Sequence, residues 1–584
     1  MLYSTKSSVG VACLWLWSVT IALSGPGCLP NSFFHTWSRI AAAEPTGNDL
    51  QMVDVTAATG IDFTHHTGGS GRSYIVEGVV GGLATFDYDN DGWTDIYFTN
   101  GSALPGTKVD RPLRHALYRN NGDWTFADVT TAAGLDGQCY GLGCVVADYD
   151  NDGDQDLYLN NFGPNKLFRN NGDKTFTDVS QTAGVANGDR VGAGASFLDI
   201  DNDGWLDLFV ANYIDFTFEN HVPIHLNGQS LIAGPQYYKS IPPNLFRNRG
   251  DGSFEDVSIK SGIASVAGPG MGTVAADFDG DNDSDIFVAQ DGAANFLFVN
   301  DGHGHFTESA LPSGVACEIS GKLNGNMGVD CADVDDDGRL DLFVTNYQAE
   351  IPVLYRNLGS GLFEDATRKS RITTGLLPHV SWGTGLVDFD NDGYRDIYVA
   401  CGHFDRVELM DDRTSQKVAN FLLLNTGNNS FKDVSRTSGT GLAVKESSRG
   451  AAFDDLDNDG DIDVVVLNAS APPTVIRNDS PKGRHWLDVL VQTDSQNRDA
   501  IGARVWITAG GRRQMAEVIS GRGYQSHFGT RLHFGLGEQA RYDSIEVRWP
   551  SGAKEHFPGG PADQLLRLKP AAGQKSAKRG NDSK

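Results

Sequence analysis

This 584-residue chain lacks a long apolar run: the stretch Val9 to Leu23 is short for a helix that crosses a bilayer. Basic side chains are scarce. The 47 Lys and Arg face 75 Asp and Glu, and a formal net charge of −28 argues against nucleic acid as a partner. Sustained helical periodicity is also lacking, whereas glycine (70 residues) and aromatics are plentiful, the composition of an all-β protein. The chain carries no nucleophile with an adjoining base, no phosphate-cradling glycine loop and no zinc signature. Sequence therefore assigns no catalytic residue and no organic cofactor.

What the chain does contain is one acidic loop, used seven times. The stretch Asp148-Tyr-Asp-Asn-Asp-Gly-Asp-Gln-Asp156 holds four carboxylates, Asp148, Asp150, Asp152 and Asp156, at offsets 0, 2, 4 and 8. The same offsets recur as Asp87, Asp89, Asp91 and Asp95; Asp199, Asp201, Asp203 and Asp207; and Asp277, Asp279, Asp281 and Asp285. They recur again as Asp333, Asp335, Asp337 and Asp341; Asp388, Asp390, Asp392 and Asp396; and Asp455, Asp457, Asp459 and Asp463. Clustered anions repel one another and raise each other's pKa, a conflict that a hard divalent cation with oxygen ligands removes. Ca²⁺ tolerates so crowded and flexible a geometry better than Mg²⁺ does, so up to seven structural calcium ions are expected. The loops start 51 to 78 residues apart, which marks a repeat array. An EF-hand would need Glu at the twelfth position. Here that position is Phe98, Leu159, Val210, Val288, Val344, Val399 or Val466, each inside a β-prone run, so the loops join strands.

Each repeat reads in one order: a strand of small residues, the loop, an apolar strand, and a hairpin such as Leu117 to Thr130. Asn-Gly and Gly-Asp centres supply the positive-φ positions of tight hairpins. Four strands per repeat is the composition of a propeller blade, and Gly-rich first strands suit a crowded central axis. The seventh hairpin stops after Val475-Ile-Arg-Asn478, and Met52-Val-Asp-Val-Thr56 supplies the strand it lacks. Residues 51–57 are expected to pair with 474–478 and close a seven-bladed ring, with the propeller spanning 51–480.

Residues 1–43 read as an export signal, with Lys6 before the apolar run Val9 to Leu23 and small residues at Ala41 to Ala43. The alternative is an uncleaved anchor, and Cys28 after Gly-Pro-Gly is a poor lipidation site. Export to the periplasm, the cell surface or the medium permits disulfides, for which Cys139–Cys144 and Cys317–Cys331 are the local pairs, leaving Cys401 as a small buried residue. From Lys482 the composition turns mildly basic, with 13 Lys and Arg against 9 Asp and Glu in 482–569. Alternating segments there predict a small β domain, and 570–584 an unstructured tail.

The loops and the Leu-Tyr-Arg-Asn hairpins resemble the FG-GAP/VCBS repeats of integrin α-chain propellers and of many secreted bacterial proteins. Ala500-Ile-Gly-Ala-Arg-Val505, Ser520-Gly-Arg-Gly-Tyr-Gln-Ser526, Leu532-His-Phe-Gly-Leu-Gly537 and Val547-Arg-Trp-Pro-Ser-Gly552 resemble an ASPIC/UnbV domain. The pairing resembles the cartilage acidic protein family and its bacterial relatives, some of them encoded beside enediyne biosynthesis genes. The resemblance implies Ca²⁺ ligation by the carboxylates at offsets 0, 2, 4 and 8 and by a carbonyl at offset 6. Those carbonyls belong to Trp93, Asp154, Trp205, Asp283, Arg339, Tyr394 and Asp461. The fourth loop departs from the pattern, with Gly280 early and Asn282 in the glycine position.

Other motifs are weaker. Arg249-Gly-Asp251 spells an integrin-binding tripeptide where a hairpin turn needs those residues anyway. His65 and His66 are adjacent on a strand and face opposite ways. The insertion 213–244, with Phe216, Phe218, His221, His225, Tyr237 and Tyr238, either binds a ligand on one rim or covers that face. A second insertion, 403–420, is charged. His527, His533 and Glu517 are isolated acid–base candidates. The expectation is an exported, calcium-stabilised, non-catalytic recognition or adhesion scaffold with a protein or glycan partner on a propeller rim. The alternative is an enzyme or accessory factor in secondary metabolism or polysaccharide breakdown.

Overall fold

A computed structural model describes residues 50–571, except 110, 111, 373, 410 and 495, and these form one compact unit. The export segment and the tail beyond residue 571 lie outside the described residues. The chain is all-β. Seven four-stranded antiparallel sheets carry the seven acidic loops, each loop joining the first and second strands of its sheet. In the third repeat those strands are Gly192–Leu198, Asp207–Asn212, Asn244–Asn248 and Phe254–Asp256. The last sheet is completed by the chain's first strand, Met52–Asp54, with Met52 opposite Asn478 and Asp54 opposite Ile476.

The first strands pack side by side in cyclic order, that of the first repeat touching those of both the second and the seventh. Every residue of these seven strands is buried. A second ring of contacts reinforces the order. The hairpin asparagine of each repeat donates its side-chain amide to a loop carbonyl of the preceding repeat: Asn170 to Tyr88, Asn248 to Tyr149, Asn300 to Ile200, Asn357 to Phe278, Asn425 to Val334 and Asn478 to Phe389. Asn120 of the first repeat donates to Leu456 of the seventh at 2.8 Å, so the series returns to its start.

The carboxyl-terminal part forms a four-stranded sheet and a three-stranded sheet in which His485–Val491 lies parallel to Gln564–Leu568. Its apolar core is continuous with that of the second and third repeats: Leu487, Val505, Val547 and Trp549 join Tyr149, Phe197 and Leu208 in one cluster.

The two expected disulfides are a correction: Cys139, Cys144, Cys317, Cys331 and Cys401 are all free thiols. Cys144 and Cys331 lie on fully buried first strands, in the apolar layers between sheets. Cys139 precedes its strand and sets its sulfur 3.0 Å from His115 Nε2. Sequence proximity suggested staples, and Cys139 and Cys144 do border the same apolar cluster, yet their sulfurs remain free thiols.

Candidate metal centres and the sealed axis

The loop backbone explains the loop sequence. In the first repeat, Asp87 accepts the N–H groups of Asp91 and Gly92 at 3.0 and 2.8 Å, folding the loop back on its first carboxylate. That turn needs positive φ at offsets 3 and 5, met there by Asn90 (55°) and Gly92 (91°). In the fourth loop the residue types exchange places, with Gly280 at 88° and Asn282 at 82°, so the sequence departure preserves the conformation. The carboxylate at offset 8 is clamped in every repeat. Asp95, for instance, accepts Tyr88 N–H on one oxygen and Asn120 N–H on the other, at 3.0 and 2.7 Å.

Oxygens of the carboxylates at offsets 0, 2 and 8 converge within 4.8 Å of one another in the first, second, fourth and fifth repeats. In the third repeat the converging set is Asp199, Asp201 and Asp203. The offset-4 aspartates, expected from sequence to stand beside the other three, take a different place in four of these loops. Asp152 is the clearest case. The second repeat gathers Asp148, Asp150 and Asp156, while Asp152 is exposed and outside that set, and its carboxylate accepts Asp154 N–H at 3.0 Å. Asp91, Asp281 and Asp337 make the same bond to the residue at offset 6, at 3.0, 2.9 and 3.1 Å. A side chain two residues before a free N–H is well placed to cap it, and the cap is compatible with convergence, since Asp203 accepts Trp205 N–H at 2.9 Å and still joins Asp199 and Asp201.

The second aspartate of the loop is the informative one. Buried oxygens of Asp89, Asp150, Asp201, Asp335 and Asp457 have no hydrogen-bond partner, a costly state for a carboxylate. Burial pushes Asp199 and Asp333 up to about 7, and burial with the adjacent Asp499 pushes Asp148 to about 8. Orphaned anionic oxygens facing one another are a donor set that fits a hard cation. Sequence reasoning missed the hairpin arginines that form ion pairs with two of these carboxylates, Arg247 with Asp201 through its other oxygen and Arg356 with Asp335.

The carboxyl-terminal part docks on these loops. Several of its basic residues meet the loops: Arg548 pairs with Asp277 at 3.0 Å, Arg512 with Asp336 at 2.8 Å, and Lys482 with Asp459 at 2.8 Å. Arg504 bridges Glu517 and Asp277, and His533 sits between Asp488 and Asn391, 2.8 Å from each. His533 and Glu517 are therefore spent in this interface, and His527 belongs to the segment described next.

Residues 520–528 leave the docked part and run into the axis of the ring. Gly523 exchanges two backbone hydrogen bonds with Val329, His527 bonds Leu83 and Thr85, and Cys144 N–H donates to Gln525. Arg522 forms a fork on Asp330, at 2.7 and 2.9 Å. Close approach explains the glycine that stands five residues before the first aspartate of every loop. A Cβ on Gly82 would lie 2.0 Å from the Gln525 carbonyl oxygen, and one on Gly450 would lie 2.7 Å from Ser526 Oγ.

Tyr524, at the tip, is fully buried. Its hydroxyl donates to Val79 O at 3.0 Å and its ring packs edge-on against Trp382 at 5.0 Å. Beyond that seal, at the end of the first strands away from the acidic loops, lies a cavity of about 740 Å³. Its floor includes Met271, Met327, Trp382 and Arg449, and both insertions wall it, through Ile232 and Tyr237 of the first and His403 and Phe404 of the second. The first insertion does two things. Phe216, Phe218 and His221 pack edge-on against Tyr74 and cover the face, while Tyr237, 52 % exposed, stands at the mouth. His225 lies 3.3 Å from Ser230 in a small hairpin.

His65 and His66 do not act as a pair: one accepts Ser470 N–H and the other Gly68 N–H. Arg249-Gly-Asp251 is a turn, in which Asp251 accepts both N–H and hydroxyl of Ser253 and Gly250 lies against the Trp205 ring.

Seven four-stranded sheets in cyclic contact, each entered through a carboxylate cluster, define an all-β repeat protein with candidate cation sites. The chain belongs to the FG-GAP-like repeat family, whose model matches residues 87–159, 148–210, 231–288, 277–344 and 333–399, together half of the chain. Residues 493–575 match the ASPIC and UnbV family. Cartilage acidic protein 1 of Homo sapiens is 24 % identical over 493 residues, covering 81 % of this chain and 69 % of the human protein. The Xenopus tropicalis protein of that name is 25 % identical, with 81 % and 70 % covered. Among solved structures, an Agrocybe aegerita lectin specific for non-reducing terminal N-acetylglucosamine aligns at 19 % identity and a TM-score of 0.36, covering 61 % of this chain and 81 % of the lectin. The rhamnogalacturonan lyase YesW aligns at 13 % identity and a TM-score of 0.35, covering 68 % and 71 %. Among the described residues no helix is long and apolar enough to cross a membrane.

Proposed function

We propose that the chain is an exported, seven-bladed propeller that binds calcium in its acidic loops and recognises a protein or glycan partner on the opposite rim, without catalysis of its own. The observation that carries the recognition reading is the cavity of about 740 Å³, walled by two insertions that interrupt the repeat pattern. Its size suits a ligand of several rings. The seal at Tyr524 makes it a dead-ended pocket, which suits capture better than passage.

Calcium is supported by the unpartnered buried oxygens of five aspartates, each in a loop that gathers further carboxylates. Bound Ca²⁺ would neutralise the anions, with Asp carboxylates at offsets 0, 2, 4 and 8 and the offset-6 carbonyl as its ligands. The carboxylates at offsets 0 and 8 are already oriented by backbone N–H groups. Those at offset 4, Asp152 among them, would turn one oxygen from the edge toward the ion, a side-chain movement that leaves the loop backbone in place. At free calcium about a hundredfold above Kd, each site adds about 2.7 kcal/mol to stability.

Two measurements test the reading. Elemental analysis of undepleted protein is expected to find several calcium ions per chain, and a calcium-free result overturns the metal assignment. Glycan and protein arrays probed with calcium-loaded chain are expected to show binding without product, and chromatographic detection of a cleaved polysaccharide overturns the non-catalytic reading.

A further inference from the structure

Four residues of the cavity floor, Met271, Met327, Trp382 and Arg449, come from one layer of the repeat, the residue six positions before the first aspartate of each loop. In six repeats that residue is Gly81, Leu142, Ala193, Met271, Met327 or Trp382, and in the seventh it is Arg449. A cation therefore occupies a position that is otherwise small or apolar. Arg449 is 3 % exposed and lines the cavity. One of its terminal nitrogens, Nη1, donates to Ser447 Oγ at 3.0 Å and Ser448 O at 2.9 Å, whereas Nε is buried with no hydrogen-bond partner. The guanidinium lies 4.2 Å from the centre of the Trp382 ring and 5.8 Å from that of Phe404. Among the described residues no carboxylate pairs with it. The acids that line the cavity are spent elsewhere. Asp291 accepts the Tyr213 hydroxyl at 2.7 Å, Glu350 pairs with Lys322 at 2.9 Å, Asp405 pairs with Arg406 at 3.3 Å, and Glu77 accepts the Ser70 hydroxyl and Tyr74 N–H.

A buried guanidinium without a counterion is expensive, and an anion delivered by a ligand removes that cost. We infer that the cavity binds a ring carrying a single carboxylate, with the carboxylate on Arg449 and the ring against Trp382 and Phe404. The planar fork of arginine matches a carboxylate, and the aromatic walls supply flat apolar surface for a ring. Four acidic side chains line the cavity against two cations, Arg449 and Arg406, the latter paired with Asp405; this net acidic lining disfavours polyanions and favours a ligand of one negative charge. A sugar acid and an aromatic acid share this chemistry.

The proposal rests on the recognition reading above, and its test separates the two. Full-length, calcium-loaded chain is titrated with methyl β-glucuronide, with the methyl ester of that uronate, and with benzoate, by calorimetry and saturation-transfer NMR. At least one carboxylate is expected to bind at least tenfold more tightly than the neutral ester, and Arg449→Gln is expected to abolish the difference. Preference for the glucuronide assigns a sugar acid, and preference for benzoate an aromatic acid. Should Arg449→Gln fail to fold, Arg449→Lys, which keeps the charge and loses the fork, and Phe404→Ala, on the cavity wall, are each expected to weaken binding at least threefold. Equal binding of acid and ester, or unchanged binding in the variants, overturns the assignment. If none of the three binds while the arrays still capture a partner, this assignment falls and the recognition reading stands. If nothing binds at all, both fall.

Discussion

Removing calcium from the loops is expected to destabilise the chain with a pH dependence whose sign the carboxylates set. Asp333 and Asp455 are 5 % and 1 % exposed. Burial pushes each carboxyl from 3.8 up to about 7, against the opposing Gly338 N–H in one loop and Arg531 in the other. A carboxyl raised in this way stabilises the metal-free fold only while it is protonated. Its contribution is fully present below about pH 3.8 and is lost as pH rises through 7. At 1.36 kcal/mol per pH unit, one such group costs about 2 kcal/mol at pH 5.5 and about 4 kcal/mol at pH 8. Two loops then cost about 8 kcal/mol at pH 8, comparable with the whole stability of a typical domain, roughly 5–15 kcal/mol. Calcium needs the ionised carboxylates, so its own contribution runs the other way and weakens with acid. Thermal melts at pH 8 and pH 5.5, in 1 mM calcium or in chelator, read both signs. Chelator at pH 8 is expected to lower Tm by roughly 10–20 °C. The metal-free chain is expected to melt higher at pH 5.5 than at pH 8, and the calcium-loaded chain lower. A chelator effect of one or two degrees at pH 8, or a metal-free Tm that falls on acidification, refutes the reasoning.

Three further perturbations address the axis and the ring. Gly82→Ala puts a methyl group 2.0 Å from the Gln525 carbonyl and is expected to cost about 1–3 kcal/mol, measured as a lower urea midpoint. Arg522→Ala leaves Asp330, which is 0 % exposed, as an unpaired buried charge, at an expected cost of about 3–5 kcal/mol. A double variant with Asp330→Asn is expected to recover part of that loss, and strict additivity of the two changes would contradict the pairing. Deleting the Met52–Asp54 strand exposes the edge at Thr474–Asn478 and is expected to produce association detectable by light scattering; a monomer of unchanged Tm would show that the strand is not needed for closure.

Much of the fold is legible in sequence because its signals are local. The aspartate offsets, the positive-φ residues between them and the Asn-Gly hairpins each depend on neighbours a few positions away. The missing strand of the last repeat is readable for a related reason: one hairpin lacks a return strand and Met52 to Thr56 has no hairpin of its own. Even within a loop, equal spacing does not mean equal placement, since Asp152 caps a nearby N–H while Asp148, Asp150 and Asp156 converge. The cysteines mislead because closeness along the chain does not make two sulfurs meet: Cys139 and Cys144 border one apolar cluster and are still free thiols. The cavity is only half legible. The two insertions stand out as interruptions of the repeat, and Arg449 is detectable by aligning the repeats on their loops and comparing the position six residues upstream.

The sequence by itself determines that four carboxylates must share each loop and that an open hairpin must find a partner strand, because adjacent residues enforce both. Only the tertiary structure decides where residues 520–528 go. Filling the axis depends on segments up to 445 residues away, Val79 and Leu83 among them, meeting at one line. The same convergence seals one end of the ring, turns the basic carboxyl-terminal part onto the acidic loops, and sets Arg449 without a counterion on a cavity floor. No local pattern encodes these outcomes, since each arises where separate repeats come into contact.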